Sequence, residues 1–317
     1  MKLTCLTLLL ATVVLFSATA QERTNPNNQD EELGKVAWLR SYEDAVSLSV
    51  TQKKPILILF QEVPGCATCR NYGHNVLSNP LMTEAITNEF IPLAIFNNKG
   101  GSDAKILKKY NEPSWNNPVV RIVNSKGENI VKRIARDYSA KGLYNAMLSA
   151  LKKEGKEIPE YIKILGKELS VSPSQLKERT YKMYCFWTGE KELGSQQGVV
   201  STQAGFQQGE VVKVHYDPSE ISQNTLDDFA RRHQMKPIES GTFTWSEKDE
   251  DYYLQHSKYR YIPLSPLQRT KINSALGKRQ NPNRFLSPKQ QEWFNTNTQK
   301  EVLFHKDFSI AWSKMTE

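Results

Sequence analysis

The stretch "PILILFQEVPGCATC", residues 55–69, joins a continuous apolar run to two cysteines that are separated by two residues. A short run that is apolar throughout is typical of a buried central strand. A helix is expected to begin at Cys66, so the cysteine pair stands where a strand passes into a helix. Unpaired backbone N–H groups and the helix dipole stabilise a thiolate at that position. The stretch therefore predicts an α/β fold with a reactive thiol at a strand–helix junction.

The segments around this junction alternate between helical and strand patterns. Apolar residues at helical spacing predict a helix over Trp38–Lys54, and a hairpin is expected over 116–135 with its turn at Ser125–Gly127. Other segments predict helices at 79–90, 104–111 and 139–155 and a strand at 91–98. This order is that of an α/β unit with a mixed sheet.

The two cysteines have different predicted roles. Cys66, at the start of the helix, is the candidate attacking thiol, and Cys69 returns to the same face three residues later as the resolving thiol. Pro118 follows Asn117 about 50 residues downstream, where a cis-proline places backbone beside the dithiol for substrate contact. The alternatives are a static disulfide and a metal site completed by His74 or His256. Zinc prefers a second close pair of ligands, and none is visible, so no metal or other cofactor is predicted.

Residues 34–155 resemble a thioredoxin-fold domain in their strand–CxxC–helix order and in the later Asn-Pro before a hairpin. "VPGCATC" is also similar to the VPGUxxT group of thioredoxin-like (seleno)proteins, in which selenocysteine takes the place of Cys66. Thioredoxin itself carries Trp before the first cysteine and Gly-Pro between the pair, whereas Gly65 and Ala67-Thr68 stand here. Because the intervening pair helps to set the reduction potential, the direction of electron flow stays open.

The N-terminus predicts export. Lys2, an apolar run and "SATA" form a secretory signal over residues 1–20, with cleavage after Ala20. The run falls short of a membrane span, so no stable membrane insertion is predicted. Polar residues 21–33 are interpreted as a disordered leader. The net charge of +8 is spread along the chain, which is unlike the clustered charge of nucleic-acid-binding proteins, so no nucleic-acid partner is predicted.

Downstream of a charged helical linker at 156–178, a second unit is predicted over 179–264, followed by a helical C-terminal extension over 265–317. The unit opens with a strand "TYKMYCFW", residues 180–187, and contains "GVVSTQAGF", "GEVVKVHYDP" and "SEKDEDYYLQH" in that order. Two Ser-Pro starts, "SPLQ" and "SPKQ", predict helices in the extension.

These fragments together resemble the A-type peptide methionine sulfoxide reductases, which carry GCFWG, GVVST-x-x-GY and E-V-V-x-V-x-Y-D-P. The resemblance implies a smaller α+β domain in which Cys185 is the nucleophile and Glu210 the acid. It also implies that Phe186 and Trp187 form the apolar wall for the substrate methyl group. The chain departs from the family in lacking a Tyr-bearing loop and the C-terminal resolving cysteines. The alternative is that Cys185 is a buried core cysteine without a catalytic role, in a domain that serves only for binding.

Removal of the signal leaves three cysteines: the closely spaced pair Cys66 and Cys69, and the single Cys185. The leading hypothesis is an exported thiol oxidoreductase that reduces peptide methionine sulfoxide or a related sulfur oxidation product at Cys185. The dithiol then acts as a tethered reductant at high effective concentration. The expected partners are proteins or peptides with oxidised sulfur and an unidentified electron donor. The alternatives are a thioredoxin-like disulfide reductase or isomerase with a client-binding second domain, and an interaction module with a frozen disulfide.

Overall fold

The computed structural model of the chain describes residues 22–115, 117–239 and 241–315. The signal predicted over residues 1–20 lies outside these described residues. Within them, no helix has both the length and the apolar character that a membrane crossing requires.

The first sheet has the strand order β2-β1-β3-β4. Its central strand β1 is buried along all of its length, pairs parallel to β2 and pairs antiparallel to β3, as its apolar sequence predicts. Helices surround this mixed sheet, and the predicted α/β order is confirmed. The elements are α1 (Tyr42–Gln52), β1 (Ile56–Gln61), α2 (Ala67–Asn75), α3 (Pro80–Glu89), β2 (Ile91–Phe96), α4 (Ser102–Tyr110), β3 (Val119–Val123), β4 (Ile134–Ala135) and α5 (Ala140–Lys153).

The segment before α1 is ordered, which corrects the predicted disordered leader. Arg23 forms a β-bridge with Leu39, and a single turn of 3-10 helix spans Glu31–Leu33. Leu33 is buried, and its carbonyl accepts a hydrogen bond from the indole N–H of Trp38. The polar composition of the segment does not reveal this order, because contacts with α2 and hydrogen bonds from Gln61 and Gly65 to Glu32 hold the segment in place.

The predicted linker contains a core helix. Helix α6 (Glu160–Ser170) is followed by a short 3-10 turn at Pro173–Gln175. The apolar face of α6 is buried against α3 and α5, with Tyr161, Ile162, Ile164 and Leu165 in one hydrophobic cluster. We call residues 22–170 the first lobe and residues 177–255 the second lobe. That cluster also contains residues between 254 and 312, so the first lobe and the C-terminal part of the chain share one packed core.

The second sheet has the order β8-β5-β7-β6-β9, and every pairing in it is antiparallel. Helix α7 packs on β6 and β7, which gives the second lobe an α+β arrangement. The elements are β5 (Lys177–Lys182), α7 (Phe186–Gly194), β6 (Val199–Phe206), β7 (Glu210–Tyr216), α8 (Gln223–Arg232), β8 (Lys236–Ile238), β9 (Thr244–Trp245) and α9 (Tyr252–Gln255).

The predicted strand through Trp187 is wrong in its second half. Strand β5 ends at Lys182, and Cys185 is the residue that precedes helix α7. The carboxylate of Glu210 accepts a hydrogen bond from the backbone N–H of Phe186 at 2.9 Å. A helix start leaves such N–H groups without intrahelical partners, so this contact from β7 favours a helix where the local sequence favoured a strand.

The C-terminal extension contains α10 (Pro266–Gly277), α11 (Pro288–Thr296) and α12 (Phe308–Ser313). Both predicted Ser-Pro starts are confirmed, and each forms a capping box with the Gln three residues after its serine. Glu168 of α6 accepts a hydrogen bond from the backbone N–H of Leu267, and Glu84 of α3 accepts one from that of Lys289. Carboxylates of the first lobe therefore anchor the starts of α10 and α11.

Candidate redox site

The cysteine pair lies at the start of α2. Cys66 is the exposed residue that precedes the helix, whereas Cys69 lies one turn into it and is fully buried. The two sulfurs are 3.7 Å apart. A Cβ at position 65 would lie 2.3 Å from the Glu62 carbonyl oxygen and 2.8 Å from the Cys69 Cβ. Glycine at 65 is therefore required for the close turn that brings the strand into the helix.

The surroundings push the pKa values of the two thiols in opposite directions. Interaction with the backbone N–H of Cys69 lowers the pKa of Cys66, against a smaller opposing effect of burial. Burial raises the pKa of Cys69 to about 12, with a further contribution from Cys66. Since the thiolate is the nucleophile, Cys66 has the features of an attacking thiol. Cys69 has those of a resolving thiol that stays protonated until it reacts.

Asn117 and Pro118 lie beside the buried thiol. The peptide bond between them is cis, as the sequence suggested. The Cys69 thiol donates a hydrogen bond to Asn117 Oδ1 at 2.6 Å, and the Pro118 side chain is buried. The side-chain contact of Asn117 was not predicted, because nothing in the local pattern specifies where that amide points.

Two carboxylates near the dithiol were also missed. Glu32, only 3% exposed, accepts a hydrogen bond from the backbone N–H of Gly65 at 2.7 Å. Glu62 follows β1, and its carboxylate lies within 4.8 Å of both sulfurs. Glu62 stands four residues before Cys66, so proximity in sequence was an available signal, whereas Glu32 reaches the site only through the fold.

Of the described residues, Glu62, Cys66 and Cys69 form the group of three or more side chains whose geometry suits a metal ion. His74 and His256, which the sequence offered as alternative ligands, are not part of this group. The potential ligand atoms at this position are thus two sulfurs and one carboxylate oxygen.

The fold of this region agrees with a comparison against known families. Residues 37–125 match a family model described as thioredoxin-like. The matched stretch contains strands β1, β2 and β3 and the Cys66–Cys69 pair. The chain has no match among curated proteins. Seven solved chains match, among them one titled "DsbH Oxidoreductase" at 16% identity and a TM-score of 0.33, with 39% of this chain and 90% of that chain covered. The family match ends before the second lobe begins.

The third cysteine lies outside the residues that the family model matches, at the start of α7. Cys185 is partly exposed, and Tyr184 beside it is 97% exposed. Glu210 bonds to the backbone next to this cysteine, as described above, so these two predicted residues are neighbours. Cys185 is not among the hydrogen-bond partners of Cys66 or Cys69 in the described part of the chain.

Aromatic side chains form one side of the Cys185 region. Phe186 is buried and meets the ring of Phe206 edge-on, with the ring centroids 5.6 Å apart. Trp187 stacks on Tyr252 at 3.8 Å between centroids. The two predicted wall residues are thus held by partners from β6 and α9.

Helix α10 holds the other end of α7. The half-buried ammonium of Lys271 donates to the carbonyl oxygens of Gly194 and Gln196, both at 2.8 Å. Ser274 donates to the Lys191 carbonyl at 2.6 Å. Burial lowers the pKa of Lys271 to about 8. The C-terminal extension, which had no predicted role, therefore caps the helix that carries Cys185.

A cavity of about 550 Å³ opens on the second lobe beside a cluster of buried carboxylates. Its walls include Trp245, Glu250 and Arg269, but none of the three cysteines. Burial, with the charge of Asp251, raises the pKa of Glu250 to about 7. Glu190 of α7 accepts a hydrogen bond from the backbone N–H of Asp251. The cluster thus joins α7 to the segment that carries Tyr252.

Proposed function

We propose that the protein is an exported thiol–disulfide oxidoreductase whose redox centre is the Cys66–Cys69 pair. The observation that carries the proposal is the asymmetry of the pair. An exposed thiol with a lowered pKa stands 3.7 Å from a buried thiol with a raised pKa. In this proposal Cys66 attacks the client disulfide, and Cys69 resolves the mixed disulfide that forms.

In the reducing direction, the Cys66 thiolate attacks one sulfur of a client disulfide and the other sulfur leaves as a thiolate that takes up a proton. Cys69 then loses its proton and attacks Cys66. The mixed disulfide breaks, the second client thiol is released, and a Cys66–Cys69 disulfide remains. An external thiol donor must reduce that disulfide before the next turnover. The backbone at Pro118 is the proposed contact for the client chain.

This function is tested by the reduction of insulin disulfides with dithiothreitol as donor. The parent protein should accelerate the reaction, and Cys69→Ser should accumulate a mixed disulfide between Cys66 and the client. A Cys69→Ser variant that folds and reacts with iodoacetamide at Cys66, yet forms no mixed disulfide, would contradict the proposal. The equilibrium reduction potential of the pair then determines the direction of electron flow in the cell.

The second candidate function is reduction of methionine sulfoxide, or a related sulfur oxidation product, at Cys185. The hydrogen bond between Glu210 and the Phe186 N–H favours it, since it holds a carboxyl group beside the residue that follows the cysteine. In this reaction Cys185 attacks the sulfoxide sulfur and Glu210 protonates the departing oxygen. The oxygen is transferred, so that methionine leaves as the thioether and Cys185 becomes a sulfenic acid. Phe186 and Trp187 contact the methyl group.

The two centres are linked in this proposal by thiol exchange. Cys66 attacks the Cys185 sulfenic acid, a disulfide between them forms, and water is released. Cys69 then attacks Cys66 and frees Cys185. The partial exposure of Cys185 and the exposure of Cys66 support this step. In Cys69→Ser treated with methionine sulfoxide, non-reducing mass spectrometry should detect the Cys66–Cys185 disulfide within one chain.

The rate of that adduct's formation should not depend on protein concentration if one chain supplies both sulfurs. A rate that rises in proportion to concentration would instead indicate exchange between two molecules. Absence of the adduct would favour the alternative, in which the protein is a disulfide oxidoreductase and its second lobe only binds client proteins.

Export rests on the amino-terminal sequence alone. Expression of the full chain in a bacterial host with a secretion pathway should yield a mature protein that begins at Gln21. Edman sequencing of the exported fraction tests this, and retention of Met1 in a cytoplasmic fraction would contradict it.

A further inference from the structure

Glu62 extends the dithiol into a set of three potential metal ligands. Its carboxylate lies within 4.8 Å of the sulfurs of Cys66 and Cys69. The residue directly follows the last residue of β1, so the rigid central strand positions it. Among the described residues, no ion pair or hydrogen bond engages this carboxylate, and a metal ion therefore displaces no existing partner of the group.

The spacing of the two sulfurs suits a tetrahedral zinc ion. Zinc–sulfur bonds of about 2.3 Å at the tetrahedral angle place two thiolates about 3.75 Å apart. The Cys66 and Cys69 sulfurs are 3.7 Å apart. A disulfide requires about 2.05 Å between the sulfurs. The reduced pair thus already has the separation that zinc requires, whereas disulfide formation needs the sulfurs to move together.

We propose that the reduced protein binds one Zn²⁺ ion through Cys66, Cys69 and Glu62. Three protein ligands leave the fourth tetrahedral position open to water or to a thiol from solution, as in zinc sites that are not fully enclosed. Binding replaces each thiol proton that is still present with a bond to the metal and releases that proton to solvent. No change in oxidation state is involved.

The consequence is a reversible block of the redox centre. Both sulfurs are occupied while zinc is bound, so Cys66 does not attack a client and Cys69 does not close the disulfide. Because zinc binds only the dithiol form, it stabilises the reduced state by mass action. The disulfide form offers no thiolates and should not bind zinc at this position.

The test uses the full mature protein, reduced and freed of metal under anaerobic conditions, and titrated with Zn²⁺ against a chromophoric chelator. One equivalent should bind per chain. Cys66→Ser should lose this binding. Glu62→Gln should weaken the affinity for zinc about tenfold or more, because losing even a group that only supports a metal ligand typically costs that much. Glu31→Gln, which alters an exposed carboxylate on the nearby 3-10 turn, is the matched control and should bind as the parent does.

Three results would overturn the proposal. The first is equal zinc binding by the reduced and the disulfide forms of the parent, a comparison that involves no substitution. The second is unchanged stoichiometry in Cys66→Ser. The third is an affinity of Glu62→Gln for zinc equal to that of Glu31→Gln, which would show that the Glu62 carboxylate is not a ligand. Replacement of Zn²⁺ by Co²⁺ adds a direct readout, since thiolate-to-cobalt absorption should appear in the parent and be absent in Cys66→Ser.

Discussion

Cys66 and Cys185 occupy the same kind of position in two different lobes. Each is the residue before a helix, each has an extended backbone conformation, and each comes shortly after a strand. Their neighbours differ. Cys66 has a second sulfur at 3.7 Å, whereas Cys185 stands next to a backbone N–H that is bonded to the Glu210 carboxylate.

The comparison separates what a helix start supplies from what a partner supplies. In both lobes the first turn of the helix presents N–H groups that can stabilise a negative charge. A neighbouring sulfur directs the chemistry towards a disulfide, and a neighbouring carboxyl group offers a proton to a leaving oxygen. In the two functions proposed above, the same local geometry therefore serves two different reactions.

The largest expected effect is a double dissociation between the two thiols. Cys66→Ser should abolish disulfide reduction but retain a single turnover of methionine sulfoxide, because Cys185 remains. Cys185→Ser should show the opposite behaviour. Insulin reduction and dimedone trapping of the Cys185 sulfenic acid measure the two activities. If either variant lost both activities while circular dichroism showed that it kept its fold, the two thiols would not act in separate reactions.

Glu210→Gln should slow sulfenic acid formation at Cys185 by about 10²–10⁴-fold, the usual contribution of a general acid. The amide oxygen can still accept the Phe186 N–H, so thermal stability should change little. Glu210→Ala removes the acid and the hydrogen bond together and should lower both the rate and the melting temperature. A Gln variant with the parent's rate would show that Glu210 acts only as a helix anchor.

Lys271→Met should destabilise the protein by about 1–3 kcal/mol, since two part-buried carbonyl groups at the end of α7 lose their donor. Urea denaturation measures the change, and Lys105→Met, at an exposed site on α4, is the control.

The pH dependence of this difference has a definite sign. The pKa of Lys271 is lowered to about 8 in the folded protein, against about 10.4 in an unfolded chain. Between these values the unfolded chain binds more protons, so the contribution of Lys271 to stability rises with pH. The gap between parent and Lys271→Met should therefore widen from pH 8 towards pH 10. A gap that narrows would contradict the assignment.

The smallest expected effect concerns Asn117. Asn117→Ala removes the acceptor for the Cys69 thiol and should destabilise the reduced state by about 0.5–1.5 kcal/mol. The reduction potential should become more negative by about 10–30 mV for the two-electron couple. Equilibration with glutathione measures this shift. Asn117→Asp keeps an acceptor oxygen and should not lower the potential, and a higher potential in Asn117→Ala would refute the role of the amide.

Several features were predictable because they depend on neighbours in sequence. The apolar run before Cys66 predicts the buried strand, and the Ser-Pro-x-Gln segments predict the two C-terminal helix starts. Each of these depends on side chains within a few residues, where periodicity and capping act. The roles proposed for Cys66 and Cys69 rest in the same way on a spacing of three residues at one helix start.

Other features were beyond such patterns. The helix at Cys185 replaces an expected strand because Glu210, 24 residues away, satisfies the Phe186 N–H. The leader is ordered because Leu33 and Trp38 meet against α2, and α6 is a core helix because α3 and α10 cover it. Long-range contacts override weak local preferences in each case.

The amino-acid sequence by itself determined the strand–cysteine–helix junction, since that junction is a property of adjacent residues. Only the tertiary structure decided which distant groups meet at each centre: Asn117 at the Cys69 thiol, Glu32 at the Gly65 N–H, and Glu210 at the Phe186 N–H. The physical reason is that a pKa, a proton donor or a metal site depends on distances of a few ångströms between atoms, and these distances are set by packing between segments far apart in the chain.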